Sequence, residues 1–73
     1  MQKWAYLFVT CEAWHGVWRP RWQDLEELQG WRSLNIRDYS NILGDAGWEL
    51  VSALRDEHNY QLIFKRPKTP EHY

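Results

Sequence analysis

From Trp4 to Cys11 the chain reads Trp-Ala-Tyr-Leu-Phe-Val-Thr-Cys, so a strand formed here carries Trp4, Tyr6 and Phe8 on one face and Ala5, Leu7, Val9 and Cys11 on the other. A strand that is apolar on both faces belongs inside a sheet and needs cover from both sides. The chain has 73 residues with which to supply that cover. A domain of this size buries only about 60% of the surface its unfolded chain exposes, so its core is thin and outside help is expected. Cys11 is the single cysteine, which removes an internal disulfide and leaves a metal or a partner subunit as the source of that help.

The first strand is predicted over residues 3–13. His15-Gly16 breaks it, and an extended segment resumes over residues 17–22, containing Trp18-Arg19-Pro20-Arg21-Trp22. Strict alternation places Trp18, Pro20 and Trp22 on one face and Arg19 and Arg21 on the other. Pro20 has no N–H to give a ladder, which makes this an edge strand. A brief extended piece is expected around residues 25–28, then an irregular connection through Gly30, Trp31 and Ser33. Ile36, Tyr39, Ile42, Leu43 and Ala46 fall at helical spacing. Asn35 is the expected N-cap, with Asp38 three residues on, and Gly47 the expected C-cap. Residues 48–54 and 60–65 read as a hairpin joined by the polar stretch 55–59. The expectation is a single small α+β domain over residues 1–67, with a flexible tail over 68–73. It holds an antiparallel sheet of three to five strands and one helix packed on one face, in the order β-β-(β)-α-β-β.

One helix covers one face. If it lies on the Leu7 and Val9 side, Trp4, Tyr6 and Phe8 face outward, and an exposed aromatic patch of that kind marks an interface; if it lies on the aromatic side, Ala5, Leu7 and Val9 need cover instead. Two ways of covering the open face stay in play: a second copy or another protein, or the segment 17–33 with its three tryptophans folding back over it. Trp4, Tyr6, Phe8, Trp18, Arg19, Arg21 and Trp22 are the candidate interface residues. A formal charge of −1 gives no global pull toward nucleic acid or anionic lipid. Nucleic acid therefore stands as the alternative partner, held through Arg19, Arg21 and the charges of Lys65–Lys68. Strict alternation counts against that alternative, because it sends the indoles and the guanidiniums to opposite faces.

Chemistry is sparse. Cys11 and His15 have the spacing of half a metal site, and His58, Glu12 or Glu57 would have to complete it, so no metal or cofactor is expected. No thiolate with an orienting base is visible, and no catalytic residue is assigned. Gly44 and Gly47 sit at the C-terminal end of the expected helix, where the dipole repels a phosphate. No run approaches the roughly 20 apolar residues of a membrane span, and nothing near the start reads as an export signal, so the expected location is the cytoplasm.

Lys3-Trp4-Ala5-Tyr6 opening a strand, Leu43-Gly44-Asp45-Ala46-Gly47-Trp48-Glu49-Leu50-Val51 at the helix-to-strand junction, and Ile63-Phe64-Lys65-Arg66-Pro67 near the end resemble the small bacterial domain-of-unknown-function family numbered 4177. The Gly-Trp-Glu-Leu-Val junction is the most specific part of the likeness. Two features depart from the family pattern: Ala5 stands where an acidic residue is common, and the segment 14–34 is longer than in the simplest members. The resemblance implies a compact helix-on-sheet protein of bacteria or their phages and supplies no activity or site residues.

Overall fold

The computed structural model describes residues 1–68. The doubly apolar run becomes strand β1 (Trp4–Trp14). His15 and Gly16, with φ of 51° and 76°, then form a two-residue turn. Positive φ at both central positions gives a hairpin turn the right-handed twist of its strands. The turn leads into β2 (Val17–Gln23), and Asp24-Leu25 turn the chain again into β3 (Glu26–Glu27). Asp24 closes the end of this hairpin: its N–H donates to the Phe8 carbonyl at 2.7 Å, and its Oδ1 accepts from the Phe8 N–H at 3.1 Å. Gly30, at φ 68°, bends the connection into a single 3-10 turn (Trp31–Ser33). Helix α1 (Ile36–Asp45) follows, then β4 (Glu49–Arg55) and β5 (Tyr60–Pro67).

The strands form one antiparallel sheet in the order β3-β2-β1-β5-β4, with β1 at the centre as its two apolar faces require. The α+β architecture and the placing of one helix on one face agree with the expectation. Helix α1 lies over the Leu7 side. Leu7, Val9 and Cys11 of β1, Leu62 and Phe64 of β5, and Tyr39 and Leu43 of α1 make the core. Trp18, Leu34, Ile36, Trp48 and Tyr60 are packed around it.

Both helix ends are built as their residues dictate. Asn35 Oδ1 accepts from the Asp38 N–H at 2.7 Å, and Asn35 Nδ2 donates to Asp38 Oδ2 at 2.8 Å. At the other end Ala46, not Gly47, is the C-cap. Gly47 is the next residue, at φ 90°, with its N–H on the Gly44 carbonyl (2.9 Å) and the Trp48 N–H on the Leu43 carbonyl (2.9 Å). That pair of bonds satisfies carbonyls the helix end would otherwise leave bare. A Cβ on Gly47 would touch nothing within 4 Å. Gly47→Ala is therefore expected to cost only the left-handed backbone term, about 1 kcal/mol by thermal or urea unfolding.

Other details differ from the pattern-based reading. Ile42 and Ala46 are exposed, because the stripe facing the sheet narrows to Ile36, Tyr39 and Leu43. β2 is not the outermost strand, since β3 pairs with Trp22 and Gln23; only the stretch containing Pro20 keeps an unpaired outer side. Pro67 belongs to β5, and the Lys68 N–H donates to the Lys3 carbonyl at 2.9 Å. The rest of the expected tail, 69–73, lies outside the described residues.

Candidate functional site

The pairing of β1 with β2 slips at one point: Cys11 opposes Pro20 and Thr10 opposes Trp22, so Arg21 is an extra residue in β2. A bulge of this kind reverses the alternation beyond it and re-aims side chains. On the hairpin side of the slip, Trp18 and Pro20 align with Ala13 and Cys11 on the helix-covered face. On the other side, Trp22 aligns with Thr10 on the opposite, open face. Gln23 aligns with Val9 on the covered face, where its Oε1 accepts from the Tyr39 hydroxyl of α1. The expectation that Trp18, Pro20 and Trp22 share a face, with both arginines on the other, is thus corrected. Pro20 supplies no ladder hydrogen bond, and the ladder breaks beside it.

The covered face accounts for Trp18. Its ring meets Tyr60 edge-on at 5.5 Å, and the Arg55 guanidinium lies 5.7 Å from each of the two rings. Trp48, which leaves the helix cap, is stacked by Arg66 at 4.3 Å, and Arg66 Nη1 also donates to the Ala46 carbonyl at 3.0 Å.

The open face is organised in rows across the strands. Trp4 opposes Pro67; Tyr6 opposes Lys65, which opposes Glu49; Phe8 opposes Ile63, which opposes Ser52; Thr10 opposes Gln61 and then Leu54, with Trp22 on its other side. Trp4, Tyr6 and Phe8 are 37%, 54% and 41% exposed, and Leu54 57%. Lys65 Nζ sits 4.1 Å from the Trp4 ring centroid. A second bulge, at Val51, adds one more exposed apolar side chain on β4.

At the hairpin end of this face a ladder of alternating rings and guanidiniums closes the surface. The Arg21 guanidinium lies 5.4 Å from the Trp22 ring and 4.8 Å from that of Trp31. Arg32 in turn lies 4.8 Å from Trp31 and 4.6 Å from Trp14. Trp31 meets Trp14 edge-on at 5.8 Å and is buried. The connection between β3 and α1 therefore covers the Trp14 end of the open face and leaves Trp4, Tyr6 and Phe8 uncovered.

The two arginines of the Trp-Arg-Pro-Arg-Trp stretch are engaged inside the chain. Arg21 forms ion pairs with Glu12 (3.1 Å) and Glu27 (2.8 Å). Arg19 Nη1 donates to the Leu34 carbonyl at 2.7 Å, which ties β2 to the entry of α1. Its Nε is buried without a partner. Neither guanidinium is left free to hold a phosphate.

Cys11 and His15 are kept apart in role: the thiol lies in the core and the imidazole at the exposed hairpin turn, against Trp14 at 4.7 Å. Burial pushes the Cys11 thiol up to about 11 from an ordinary 9.0, which opposes the thiolate that nucleophilic chemistry needs. The same shift has a consequence for stability. The unfolded thiol ionises first, so the neutral-thiol contribution is full below pH 9.0 and is lost as pH rises through about 11. Tyr39 is shifted in the same direction, by burial and then by Asp24. Unfolding free energy is expected to fall by about 2–3 kcal/mol across that window through the thiol alone, and Cys11→Ala should remove this part of the alkaline slope in urea titrations. Among the described residues no three His, Cys, Asp or Glu side chains stand close enough to hold a metal ion. Among them, too, no helix is long and apolar enough to cross a membrane.

No family model, curated protein or solved structure matches the chain. The class that the fold and surface define is a five-stranded antiparallel sheet covered by one helix, with an aromatic open face.

Proposed function

We propose that this is a non-catalytic interaction protein that self-associates through the open sheet face. The observation that carries the reading is the exposure of Trp4, Tyr6 and Phe8 along the central strand, opposite the face on which the helix builds the core. A thin-cored domain gains most from burying such a patch against a partner. β1 and β5 pair over eight residues, β4 joins them over six of those rows and β2 over three, which gives a flat footprint of about 400 Å². That is smaller than the roughly 800 Å² per partner of a standard stable interface, which suits a dimer that dissociates on dilution. The resemblance to the family numbered 4177 is kept as part of this proposal, as is a bacterial or phage cytoplasmic setting.

The alternative is an accessory protein for nucleic acid. Trp22 and Arg21 sharing the open face, and Lys65 over Trp4, bring rings and cations together as a stacking platform needs. The pairing of Arg21 with Glu12 and Glu27 weighs against it, because the cations available for phosphate shrink to Lys3, Lys65 and Lys68 near the Trp4 end. Dilution calorimetry at several temperatures and two salt concentrations tests the two. Self-association through an apolar face gives a negative heat capacity change and little salt dependence. Absence of any dilution heat, together with tight, steeply salt-dependent binding of a single-stranded oligonucleotide, would replace the first reading with the second.

A further inference from the structure

The geometry points to one arrangement of the two copies: sheets packed face to face, related by a twofold axis that runs along the strands between β1 and β5. This rests on the self-association proposed above and names how the partner sits. Sheets that pack this way keep their strands aligned to within about 30° and lie about 10 Å apart.

An axis between β1 and β5 exchanges the two strands and keeps each row in place. Phe8 then faces the partner's Ile63, and Trp4 the partner's Pro67. Trp22, one strand outward on β2, falls opposite the partner's Leu54 on β4. Three of the four rings on the face, Trp4, Phe8 and Trp22, are matched to apolar side chains. The fourth, Tyr6, is matched to a cation. Lys65 meets the partner's Tyr6, a ring face suited to a cation, as Trp4 already is within the chain. Lys65 and the partner's Lys65 are kept apart by the exchange of strands.

The other simple arrangement, with the axis perpendicular to the strands through the Phe8 row, turns the rows end for end. It sets Glu49 against the partner's Leu54 and the Trp4 end against the partner's Glu12, which buries carboxylates against apolar groups. The bulge at Arg21 is what makes the first arrangement complementary. Without it Trp22 would lie on the helix side, and the partner's Leu54 would face no ring.

Sheets about 10 Å apart exceed the reach of a disulfide, so the test uses a short thiol-reactive bifunctional crosslinker. Phe8→Cys and Ile63→Cys chains are each made and checked for folding by circular dichroism, and Tyr6→Cys with Lys65→Cys gives a second pair that avoids altering the centre of the face. Wild-type protein, whose Cys11 is buried, is the blank. The expected result is a crosslinked dimer in the mixture of Phe8→Cys and Ile63→Cys at a yield at least about fivefold above either chain alone, repeated by the second pair. Crosslinking of Phe8→Cys to itself more efficient than that of the mixture would overturn the arrangement in favour of the end-for-end one. So would a dimeric mass with no crosslink from either pair, as from association through the outer edge of β4. A monomeric mass for the wild-type chain at every concentration is a separate outcome, and it removes the self-association itself.

Discussion

Replacing Trp31 with alanine is expected to cost about 3–5 kcal/mol, the range for removing a buried indole. Trp31 is 4% exposed although it belongs to a connection and not to the main core, and it is the middle ring of the ladder that joins Trp22, Arg21, Arg32 and Trp14. Its removal opens a cavity under Trp14 and leaves Arg21 and Arg32 each with one ring where they had two. For a chain of 73 residues, total stability is on the order of 4–11 kcal/mol, so this one change consumes a large part of it. Thermal unfolding should show a fall in Tm of at least about 12 °C. Arg32→Ala, at the exposed end of the same ladder, is expected to lose no more than about 1 kcal/mol. Equal losses from the two substitutions would show that the connection is not anchored by the indole.

Phe8→Glu is expected to abolish self-association while leaving the fold intact. Phe8 projects from the middle of the open face and is 41% exposed in the single chain, so a carboxylate there stays in contact with water in the monomer. In the dimer the same carboxylate would be buried against an aliphatic side chain, with the nearest cation, Lys65, one row away and held over Trp4. A loss of 2 kcal/mol or more at a central aromatic position weakens association by at least about 30-fold. The stability of the monomer should change by less than about 1 kcal/mol, and the concentration dependence of Tm that a dimer confers should disappear. Sedimentation equilibrium of the variant beside the wild-type chain reads the first, and thermal scans at several concentrations read the second.

Alternation from Trp4 to Cys11 was enough to name the central strand and its two faces, because period-two side-chain direction depends on nothing but the backbone. The Asn35–Asp38 cap and the Gly47 helix stop were legible for the same reason: each is a local hydrogen-bonding or conformational demand met by residues a few positions apart. Pro20 signals the bulge at Arg21, but alternation alone does not place it. A proline inside a strand paired on its inner side leaves the ladder one donor short, and a bulge beside it is the usual accommodation. The bulge decides the face of Trp22 and, with it, the matching of the open surface. The bulge at Val51 has no comparable signal, since Leu50, Val51, Ser52 and Ala53 read as an ordinary strand. Trp31 was equally hidden, because its burial depends on rings and guanidiniums that come together only when β2 folds onto β1. Ile42 shows the opposite limit: helical spacing admits it to the apolar stripe, but a ten-residue helix over a sheet presses only its narrow central line into the core.

Absolute mass by light scattering across a wide concentration range is the most direct test that the open face is an interface. The mass is expected to rise from one chain toward two with concentration, alike at low and high salt, whereas a mass of one chain at every concentration would contradict self-association through that face.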